Sequence, residues 1–427
     1  MAPALIITTS AFPFGGLTEQ SFILPELEPL AQQFGRVVIV PQQLETEAPT
    51  CRLPEGVETD TRFARASASP GKTRRHLRSL LHRRFAAAML HAGVNLLHPR
   101  RLRALAAYFA GAREFAAFVR RNYPPSGGYR YYTFWFDHTA TAFALLREAE
   151  GSCIVSRAHG YDIFDHRVAY RSHYLRRLTL GRLTAVFPQS LDGELYLKRH
   201  YPASADKIHC HLLGCVRLSP EANPEGSDEF TIATVARLHP VKRLPQTAAL
   251  LCLLAAAHPE RRFRWILVGD GPDRPAIEAE ARKAPANLAI EMRGQMANAD
   301  IQRLYATRHI DLFLLLSSSE TSSIALCEAL AYGIPALASH VGGLPALLGA
   351  AAPGFPDSAG AASRGAAGGG ITVDPSLAPD AFLAAATGII ESAPLRRKLR
   401  AAARANWETN LTATRLRPAF ASHLASL

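Results

Sequence analysis

Two short apolar runs separated by a helical pattern constrain the fold of this chain most strongly. Leu312 to Leu316 is too short for a helix and is bounded by small polar residues, which predicts a buried parallel strand. From Ser323 to Tyr332 apolar residues recur at helical spacing, a serine stands at the start, and Gly333 follows the end. Pro335 to Ser339 predicts a second short strand. A strand, a polar loop and a helix N-terminus in this order predict a doubly wound α/β unit with a phosphate-binding edge.

Two acidic residues flank the start of this predicted helix. Glu320 lies in the loop and Glu328 in the second turn, and the second acid opens the pattern EALAYGIPALAS-x-VGG. The E-x7-E spacing with these flanks resembles the donor site of retaining, sugar-nucleotide-dependent glycosyltransferases of family 4, which have the GT-B fold. The resemblance implies that Glu320 faces the transferred sugar and that Glu328 accepts hydrogen bonds from the ribose hydroxyls. Without the flanks, the two glutamates would be an ordinary loop acid and a solvated helix acid.

The length of the chain predicts more than one domain. At 427 residues it exceeds one ordinary core, and 48% apolar with 20% charged residues is normal for a globular protein. The resemblance implies the α/β GT-B architecture, in which two Rossmann-like, doubly wound parallel-sheet domains face a central cleft. We expect an acceptor-binding domain over 1–218, a sugar-nucleotide-binding domain over 229–400, and a helix within 401–427 that crosses back to the first domain. Pro220 to Asp228, acidic and poor in large apolar residues, predicts the linker.

The first predicted strand, Ala4 to Thr9, is followed directly by a pair of glycines. Gly15 and Gly16 would let the backbone approach a phosphate or an acceptor sugar, although the segment lacks a full G-x-G-x-x-G and a plain tight turn explains it equally well. The order FPFGG-x-x-E-x-x-F-I-x-x-E-L resembles the opening of family 4 enzymes that build capsular polysaccharide and exopolysaccharide. The resemblance therefore places Gly15 and Gly16 in the donor-binding set.

A histidine follows another predicted strand of the first domain. Cys153 to Arg157 delivers His159 to the carboxyl end of the sheet, where ligands bind in doubly wound folds. The resemblance implies that a histidine in the R-x-H-G-Y-D context contacts the donor sugar or the acceptor, with Asp162 beside it. A lone histidine is otherwise more often structural.

Two basic residues follow the first predicted strand of the second domain, Phe230 to Val235. Arg237 and Lys242, in ARLHPVKR, match the pair that holds the donor diphosphate in the resembling family. Two cations at a strand end can neutralise the charge that develops on a leaving diphosphate without a metal ion. The resemblance adds the amides of Ser322, Ser323 and Ile324 to this set. It also places the nucleotide base against the backbone at Gly294. Without the other motifs, the two basic residues would be surface charges.

The segment from Arg62 to Arg121 is strongly basic. It holds fourteen Lys and Arg residues against the single acid Glu114, whereas the whole chain has a net charge of +12. Interleaved apolar residues make part of it an amphipathic basic helix, which is typical of a segment on an anionic membrane surface. Nucleic acid could use the same charge, but the sequence contains no nucleic-acid module. A solvated basic face is the remaining alternative.

Taken together, the residues and the resemblance predict a metal-independent hexosyltransferase of class EC 2.4. We expect it to transfer a sugar from a UDP- or GDP-sugar to a lipid-linked or oligosaccharide acceptor during exopolysaccharide biosynthesis. No run approaches twenty apolar residues and no signal peptide is evident at the start, so we expect a cytoplasmic protein, peripheral at the inner face of the membrane. A sugar-nucleotide epimerase of the same fold and a catalytically silent, membrane-bound partner subunit stay open.

Two further segments carry structural predictions. Lys207 to Val216 resembles the last strand of the first domain in the family, followed by a glycine turn. Leu348 to Gly370 is rich in alanine and glycine and lacks periodicity, which predicts a flexible loop.

Overall fold

A computed structural model describes residues 3–68, 83–93, 97–146, 151–171, 173–224, 226, 228–349, 363–367, 369–376 and 378–427. The chain divides into two compact units. The first unit comprises Met1–His211 and Arg415–Leu427, and the second comprises Leu212–Thr414.

Strands and helices alternate along most of the chain, as expected for doubly wound sheets. The strands are β1 (Leu5–Thr9), β2 (Val37–Pro41), β3 (Val57–Thr59), β4 (Arg130–Thr133), β5 (Ile154–Ala158), β6 (Ala185–Pro188), β7 (Glu229–Val235), β8 (Arg262–Val268), β9 (Leu288–Gly294), β10 (Leu312–Leu315), β11 (Ala336–Ser339), β12 (Ser363–Ala367) and β13 (Gly370–Val373). The helices are α1 (Leu17–Phe34), α2 (Arg62–Ser67), α3 (Arg83–Ala92), α4 (Pro99–Asn122), α5 (His138–Leu145), α6 (Arg176–Arg182), α7 (Leu191–His200), α8 (Leu244–Ala257), α9 (Arg274–Ala281), α10 (Asn298–Thr307), α11 (Ile324–Ala331), α12 (Leu344–Leu347), α13 (Pro379–Glu391), α14 (Ala393–Asn406) and α15 (Ala413–Ser426).

The sheet of the first unit is parallel, with strand order β3-β2-β1-β4-β5-β6. This is the order of a Rossmann sheet, in which the chain reverses direction beside the first strand. Both faces of the sheet are covered. Ile6 and Val38 pack into one apolar cluster, and Leu5, Ile7 and Val37 pack into the other. Burial on both faces explains why β1 and β2 are continuous apolar runs rather than alternating ones.

A buried arginine of the first unit contacts the last helix of the chain. Arg157 on β5 is 1% exposed and pairs with Glu26 on α1, which also accepts a 3.0 Å hydrogen bond from the Tyr132 hydroxyl. The Arg157 guanidinium lies 3.8 Å from the centroid of the Phe420 ring on α15. A buried charge is costly unless it is paired, so these contacts fix α15 on the first unit.

The sheet of the second unit repeats the same topology. Its strand order is β12-β13-β11-β10-β7-β8-β9, and the pairings are parallel except that between β12 and β13, which is antiparallel. Phe230 and Leu267 lie in the apolar cluster on one face, and Ala233, Ile266 and Val268 lie in the cluster on the other. Each unit is therefore a doubly wound α/β domain, as the sequence predicts.

The predicted linker is instead part of the second unit. Asn223 is 3% exposed, and its side-chain amide donates 2.7 Å hydrogen bonds to the carbonyls of Tyr305 and Arg308. Its side-chain oxygen accepts from the amide of Ile310. The unit boundary lies at residue 211 rather than 218, and the buried Asn223 side chain ties the polar segment to the backbone at the end of α10.

Two other segments differ from their predictions. In Lys207 to Val216 the contact with β6 is a bridge between Ile208 and Val186, continued by hydrogen bonds of 3.0 and 2.9 Å from the amides of His209 and His211 to the carbonyls of Val186 and Pro188, so only the first part of the expected strand lies along the sheet. The predicted loop over 348–370 lies mostly outside the described residues, but β12 and β13 form a strand pair within its last part. Of the helices in the described part of the chain, none is long and apolar enough to cross a membrane.

Candidate functional site

Three loops meet at the carboxyl edge of the second sheet. They follow β7, β10 and β11, which are neighbours and run parallel. Each crossover starts at this edge, so the side chains that follow the strands converge there, where doubly wound domains bind ligands. Most of the residues that the sequence singled out in the second domain lie in these loops or directly after them.

Backbone contacts fix the loop that carries Glu320. The amide and hydroxyl of Ser318 donate to the carbonyl of Val241 at 2.8 and 3.2 Å, and the Ser339 hydroxyl donates to the carbonyl of Ser317 at 2.7 Å. On the other side, Gly342 has a φ of 52°, and a Cβ atom there would stand 1.7 Å from the Glu320 carbonyl oxygen. The first glycine of the VGG motif therefore permits a close approach that no other residue allows.

Lys242 and Glu320 form an ion pair. The Lys242 ammonium contacts Glu320 Oε2, and the two side chains are 18% and 12% exposed. The Ser317 hydroxyl adds a 3.3 Å hydrogen bond to the same carboxylate oxygen. The family resemblance places both residues in the donor site, and the structure brings them into direct contact.

Arg237 is exposed on the loop after β7, and none of the described residues forms a hydrogen bond or ion pair with its side chain. The GDGP turn after β8 supports this loop. A Cβ atom at Gly269 would stand 1.9 Å from the Ala236 carbonyl oxygen, and one at Gly271 would stand 2.4 Å from that of Leu238. These glycines were not predicted as site residues, although their spacing signals a close backbone approach. Their contacts set the position of the loop that carries Arg237.

The N-terminus of α11 follows the Glu320 loop. The Ser323 hydroxyl caps the helix by accepting a 3.2 Å hydrogen bond from the amide of Leu326, as the sequence predicts. The amides of Ser322, Ser323 and Ile324 lie where the loop enters the helix, at the end where the helix dipole favours an anion. Glu328 follows one turn later on the same helix.

The Glu328 carboxyl group is buried. Its residue is 4% exposed, and its Oε1 atom accepts a 2.6 Å hydrogen bond from the side-chain amide of Asn298 at the start of α10. Gln302 holds Asn298 from the next turn through a 3.1 Å hydrogen bond. Burial raises the pKa of Glu328 to about 7, while the bond from Asn298 acts in the opposite direction. Asn298 was not predicted as a site residue, because only the fold brings it to Glu328.

Gly294 ends β9 at the same carboxyl edge of the sheet. It has a φ of 68°, and its carbonyl accepts a 2.8 Å hydrogen bond from the amide of Gly269. The second unit thus brings all of its predicted site residues to one edge of one sheet. This cluster comprises Arg237, Lys242, Gly294, Glu320, Ser322, Ser323, Ile324 and Glu328.

Gly15, Gly16 and His159 lie in the first unit. The amide of Gly16 donates a 3.0 Å hydrogen bond to the carboxylate of Glu45, and a Cβ atom at Gly15 would stand 2.3 Å from the same carboxylate. Glu19 orders the preceding turn by accepting bonds of 2.7 to 3.1 Å from the amides of residues 10 to 12. In this structure the glycine turn therefore binds the protein's own carboxylate.

His159 is buried in an aromatic setting at the end of β5. Its ring centroid lies 4.3 Å from that of Trp135 and 4.6 Å from that of Phe134. Its backbone amide donates a 2.6 Å hydrogen bond to Asp162, and its Nδ1 atom lies 3.6 Å from the Asp162 carboxylate. Its Nε2 atom has no hydrogen-bond partner among the described residues, so this nitrogen is available for a ligand.

Within the described ranges, no group of three or more His, Cys, Asp or Glu residues could hold a metal ion.

Comparison with known families bears directly on the second unit. Residues 217–406 match a family model described as Glycosyl transferases group 1. This segment, 190 of the 427 residues, is similar to group 1 glycosyltransferase domains. It contains every site residue of the second unit named above.

Two curated relatives share part of the sequence. The chain is 30% identical over 114 residues to an alpha-monoglucosyldiacylglycerol synthase of Acholeplasma laidlawii, which is 27% of this chain and 28% of the relative. It is 28% identical over 129 residues to the phosphatidylinositol N-acetylglucosaminyltransferase gpi3 subunit of Schizosaccharomyces pombe, which is 30% of this chain and 27% of the relative. The chain thus matches less than a third of the length of these relatives.

Solved structures share the fold over the whole chain. A sucrose-phosphate synthase from Thermosynechococcus elongatus aligns with a TM-score of 0.66 at 15% identity, covering 99% of this chain and 98% of that one. WaaG, a glycosyltransferase involved in lipopolysaccharide biosynthesis, aligns with a TM-score of 0.59 at 14% identity, covering 98% and 99%. The fold is the GT-B fold that the family resemblance implies.

Proposed function

We propose that this protein is a retaining hexosyltransferase of family 4 that transfers a sugar from a nucleoside diphosphate sugar to a lipid-linked saccharide. The observation that carries the proposal is the cluster at the carboxyl edge of the second sheet. It combines a lysine–glutamate pair, an exposed arginine, a helix N-terminus and a buried carboxyl group. Together these groups can bind the sugar, the diphosphate and the ribose of a nucleoside diphosphate sugar.

Each group has a chemical task in the proposed transfer. The bond between the anomeric carbon and the diphosphate oxygen breaks, and the acceptor oxygen forms the new glycosidic bond on the same face of the sugar. The acceptor proton passes to the departing diphosphate oxygen, which preserves charge balance. Arg237, Lys242 and the amides of Ser322 to Ile324 neutralise the charge that develops on the diphosphate. Glu320 orients the sugar hydroxyls rather than attacking the anomeric carbon, and Glu328 accepts the ribose hydroxyls.

Two features support a lipid-linked acceptor at an anionic membrane surface. The two relatives described above carry diacylglycerol and phosphatidylinositol in their names. The basic segment also exposes large apolar side chains, since Leu90 is 84% exposed and Leu97 is 85% exposed. Basic residues beside exposed leucines suit the interface of an anionic leaflet. We therefore propose that the enzyme acts on cell-surface polysaccharide from the cytoplasmic face of the membrane.

The proposal includes independence of divalent metal ions, because side-chain cations and helix amides take the place of a metal at the diphosphate. Turnover should therefore be the same in EDTA and in buffer with Mg²⁺ or Mn²⁺. A chelated enzyme that regains activity only with a divalent cation would contradict this part of the mechanism.

A donor panel tests the proposed function itself. Thermal-shift measurements with UDP, GDP, ADP and their sugars identify the base, and a transfer assay with that donor and a lipid-linked saccharide follows. We expect stabilisation by a UDP or GDP compound and transfer to the acceptor, both weakened by Lys242→Ala and unaffected by the control Glu260→Gln on the surface of the same unit.

The two alternatives give different results in the same panel. An epimerase would isomerise the donor without an acceptor, and a silent partner subunit would bind no donor. The relatives described above are a synthase and a transferase, which favours transfer.

A further inference from the structure

The first unit contains a cavity of about 340 Å³ that no part of the proposed mechanism uses. It lies among α4, the start of α5 and the segment from Tyr161 to Arg176. This volume is within the range of small-molecule sites, about 300 to 1,000 Å³. Its size suits one or two sugar rings.

Aromatic rings form much of the cavity wall. Tyr108 and Tyr174 have ring centroids 5.9 Å apart, and their hydroxyls bond to Thr141 at 2.7 Å and to the carbonyl of Arg101 at 3.4 Å. Because these hydroxyls are occupied, the two residues offer the cavity mainly apolar ring surface. Tyr161 and Tyr170 complete the aromatic wall and are 46% and 43% exposed.

The buried charges of the wall are satisfied by the protein. Arg176 donates 2.7 Å hydrogen bonds to the carbonyls of Phe136 and Asp162, and its guanidinium lies 3.5 Å from the Phe136 ring centroid. The Asp162 carboxylate accepts from the amides of His159 and Phe136 at 2.6 and 2.9 Å. Two of the N–H donors of Arg176 are thus used by the fold, and its single positive charge is outnumbered in the cavity lining by the carboxylates of Asp137 and Asp162.

Asp137 has a carboxylate oxygen that is available to a ligand. Its Oδ1 atom caps α5 through the amide of Thr139 at 2.8 Å. Its Oδ2 atom has only long contacts, 3.5 Å to Gln42 and 3.5 Å to His138. A carboxylate in this state accepts hydrogen bonds from hydroxyls and repels anions.

His173 supplies a second polar group. Its side chain is 6% exposed, it lines the cavity, and its Nε2 atom has no hydrogen-bond partner among the described residues. Burial, with a contribution from Arg176, lowers the pKa of His173 to about 3, so the imidazole is neutral at physiological pH. A neutral imidazole can donate to or accept from a hydroxyl, but it adds no positive charge for an anion.

The backbone beside this wall is strained. Tyr170 and Leu175 have φ values of 63° and 58°, in the left-handed region that bulky residues rarely adopt. Such strain persists where the surrounding structure enforces it, and it concentrates at ligand clamps. Both residues lie on the segment that carries His173 into the wall.

We propose that this cavity binds a neutral sugar ring of the acceptor and excludes phosphorylated and acidic sugars. Aromatic rings contact the apolar face of the ring, and Asp137 and His173 bond to its hydroxyls. The cavity is thus selective against anions within a chain whose net charge is +12. The assignment of the ring to the acceptor rests on the proposed function, whereas binding of the ring by the first unit does not.

Binding of simple glycosides to the full chain tests the proposal. The neutral probes are the methyl glycosides of glucose, galactose and N-acetylglucosamine, and the charged probes are glucuronic acid, glucose 6-phosphate and choline. Saturation-transfer NMR and calorimetry should show binding of at least one neutral glycoside. The acidic probes should bind at least about tenfold more weakly, because they place like charges close to Asp137.

Two variants connect the binding to the cavity. Tyr161→Ala removes part of the aromatic wall and should weaken binding of the neutral glycoside by roughly tenfold. The matched control Leu195→Ala, at a residue that is 44% exposed in the same unit, should leave binding unchanged. Asp137→Asn keeps the helix cap but removes the negative charge. It should therefore reduce the difference in affinity between methyl glucoside and glucuronic acid.

Four outcomes would overturn the proposal. They are tighter binding of an acidic probe than of every neutral glycoside, tighter binding of choline, no binding of any neutral glycoside, and binding that Tyr161→Ala leaves intact. Donor binding to the second unit is measured separately. Absence of donor binding would overturn the proposed function. It would not affect the proposal for the cavity, which the glycoside measurements test independently.

Discussion

The contact between Lys242 and Glu320 changes how the two residues act. The family resemblance implies a separate partner for each residue, the diphosphate for the lysine and the sugar for the glutamate. In the structure the ammonium binds the carboxylate, and both side chains are largely shielded from water. A donor diphosphate must therefore compete with Glu320 for Lys242. The pair also keeps the lysine in place before the donor arrives.

Substitution of each partner separates these two tasks. Lys242→Ala should weaken UDP or GDP binding by about tenfold or more, because it removes a charged hydrogen-bond donor. Glu320→Gln removes the competing negative charge, so it should leave nucleotide binding equal or tighter while slowing transfer by about a hundredfold through loss of sugar orientation. Calorimetry and single-turnover transfer measure the two effects. Equal losses of binding in both variants would contradict separate roles.

The buried carboxyl of Glu328 makes stability depend on pH. The pKa of Glu328 is about 7 in the folded protein and near 4.5 in an unfolded chain. Its contribution to the free energy of unfolding is therefore fully present below pH 4.5 and is lost as pH rises through 7. Glu328→Gln lacks this dependence, so between pH 5 and 8 the wild type should lose up to roughly 3 kcal/mol relative to the variant. Urea denaturation at both pH values measures the free energies of unfolding of the two proteins. The same difference between them at pH 5 and pH 8 would contradict this prediction.

The same group gives nucleotide binding an opposite pH dependence. Ribose hydroxyls donate to the ionised carboxylate, so nucleotide affinity should increase from pH 6 to 8 in the wild type. Glu328→Ala should bind about tenfold more weakly or worse, since each lost bond to a charged group is worth roughly 1.5 to 3 kcal/mol. Calorimetry measures nucleotide affinity for the wild type and the variant across this pH range. Unchanged nucleotide affinity in Glu328→Ala would show that Glu328 does not bind the ribose.

At the scale of elements, the site depends on loops that touch through backbone atoms. The GDGP turn lies against the loop of Arg237, and the VGG turn lies against the loop of Glu320. In both cases a glycine permits an approach that a side chain would block. These contacts are formed between consecutive crossovers of one sheet, so the order of the strands positions the charged residues.

Gly342→Ala tests this packing. The added Cβ atom would stand 1.7 Å from the Glu320 carbonyl oxygen, so the loop must move. We expect a loss of stability above the roughly 1 to 2 kcal/mol that a left-handed φ alone costs, and a loss of transfer larger than the unfolded fraction explains. Gly128→Ala is the matched control, because Gly128 has a φ of 70° and no neighbour within 4 Å of the added atom. Equal effects of the two substitutions on stability and transfer would contradict the role of close packing.

The elements were predicted well where their signal is local. Buried parallel strands are continuous apolar runs, so β1, β7 and β10 are visible in the sequence, and Ser323 and Gly333 mark the ends of α11. The antiparallel pair β12 and β13 was missed because its alanines and glycines resemble a loop.

Contacts between distant residues were not predictable in this way. Asn298 and Glu328 are 30 positions apart, and Asn223 reaches the backbone of residue 308. Neither residue has a distinctive neighbour in sequence, and each acts only after the sheet has formed. The family resemblance supplied the donor residues, but it gave no indication of the buried asparagines or of the aromatic cavity.

At the scale of the whole molecule, the charge is concentrated in one segment. Residues 62–121 hold fourteen basic residues and one acid, which exceeds the net charge of +12 for the entire chain. Residues 69–82, with four of these charges, and the side chains of Arg83 and Arg84 lie outside the described residues. Within the described part, α3 ends near Leu90, which is 84% exposed. The segment thus joins positive charge to exposed apolar surface.

Removal of part of this charge should release the protein from anionic membranes. Each Lys or Arg near an anionic leaflet contributes about 1 kcal/mol, so loss of five should greatly weaken attachment. The variant changes five arginines to glutamine, namely Arg74, Arg75, Arg78, Arg83 and Arg84. Co-sedimentation with vesicles that contain phosphatidylserine measures attachment, and nucleotide binding should be unaffected because the donor cluster lies in the other unit.

A control of equal charge distinguishes a specific surface from net charge alone. It changes five exposed basic residues of the second unit to glutamine, namely Arg282, Lys283, Arg303, Arg397 and Lys398. Both variants fall to a net charge of +7, from the +12 of the wild type less five. If the basic segment is the membrane surface, only the first variant should dissociate, and wild-type binding should decrease as salt screens the exposed charges over about 10 Å at 0.1 M. Equal release of both variants would show that attachment follows overall charge, and retention of the first variant at low salt would show that the segment is an ordinary solvated face.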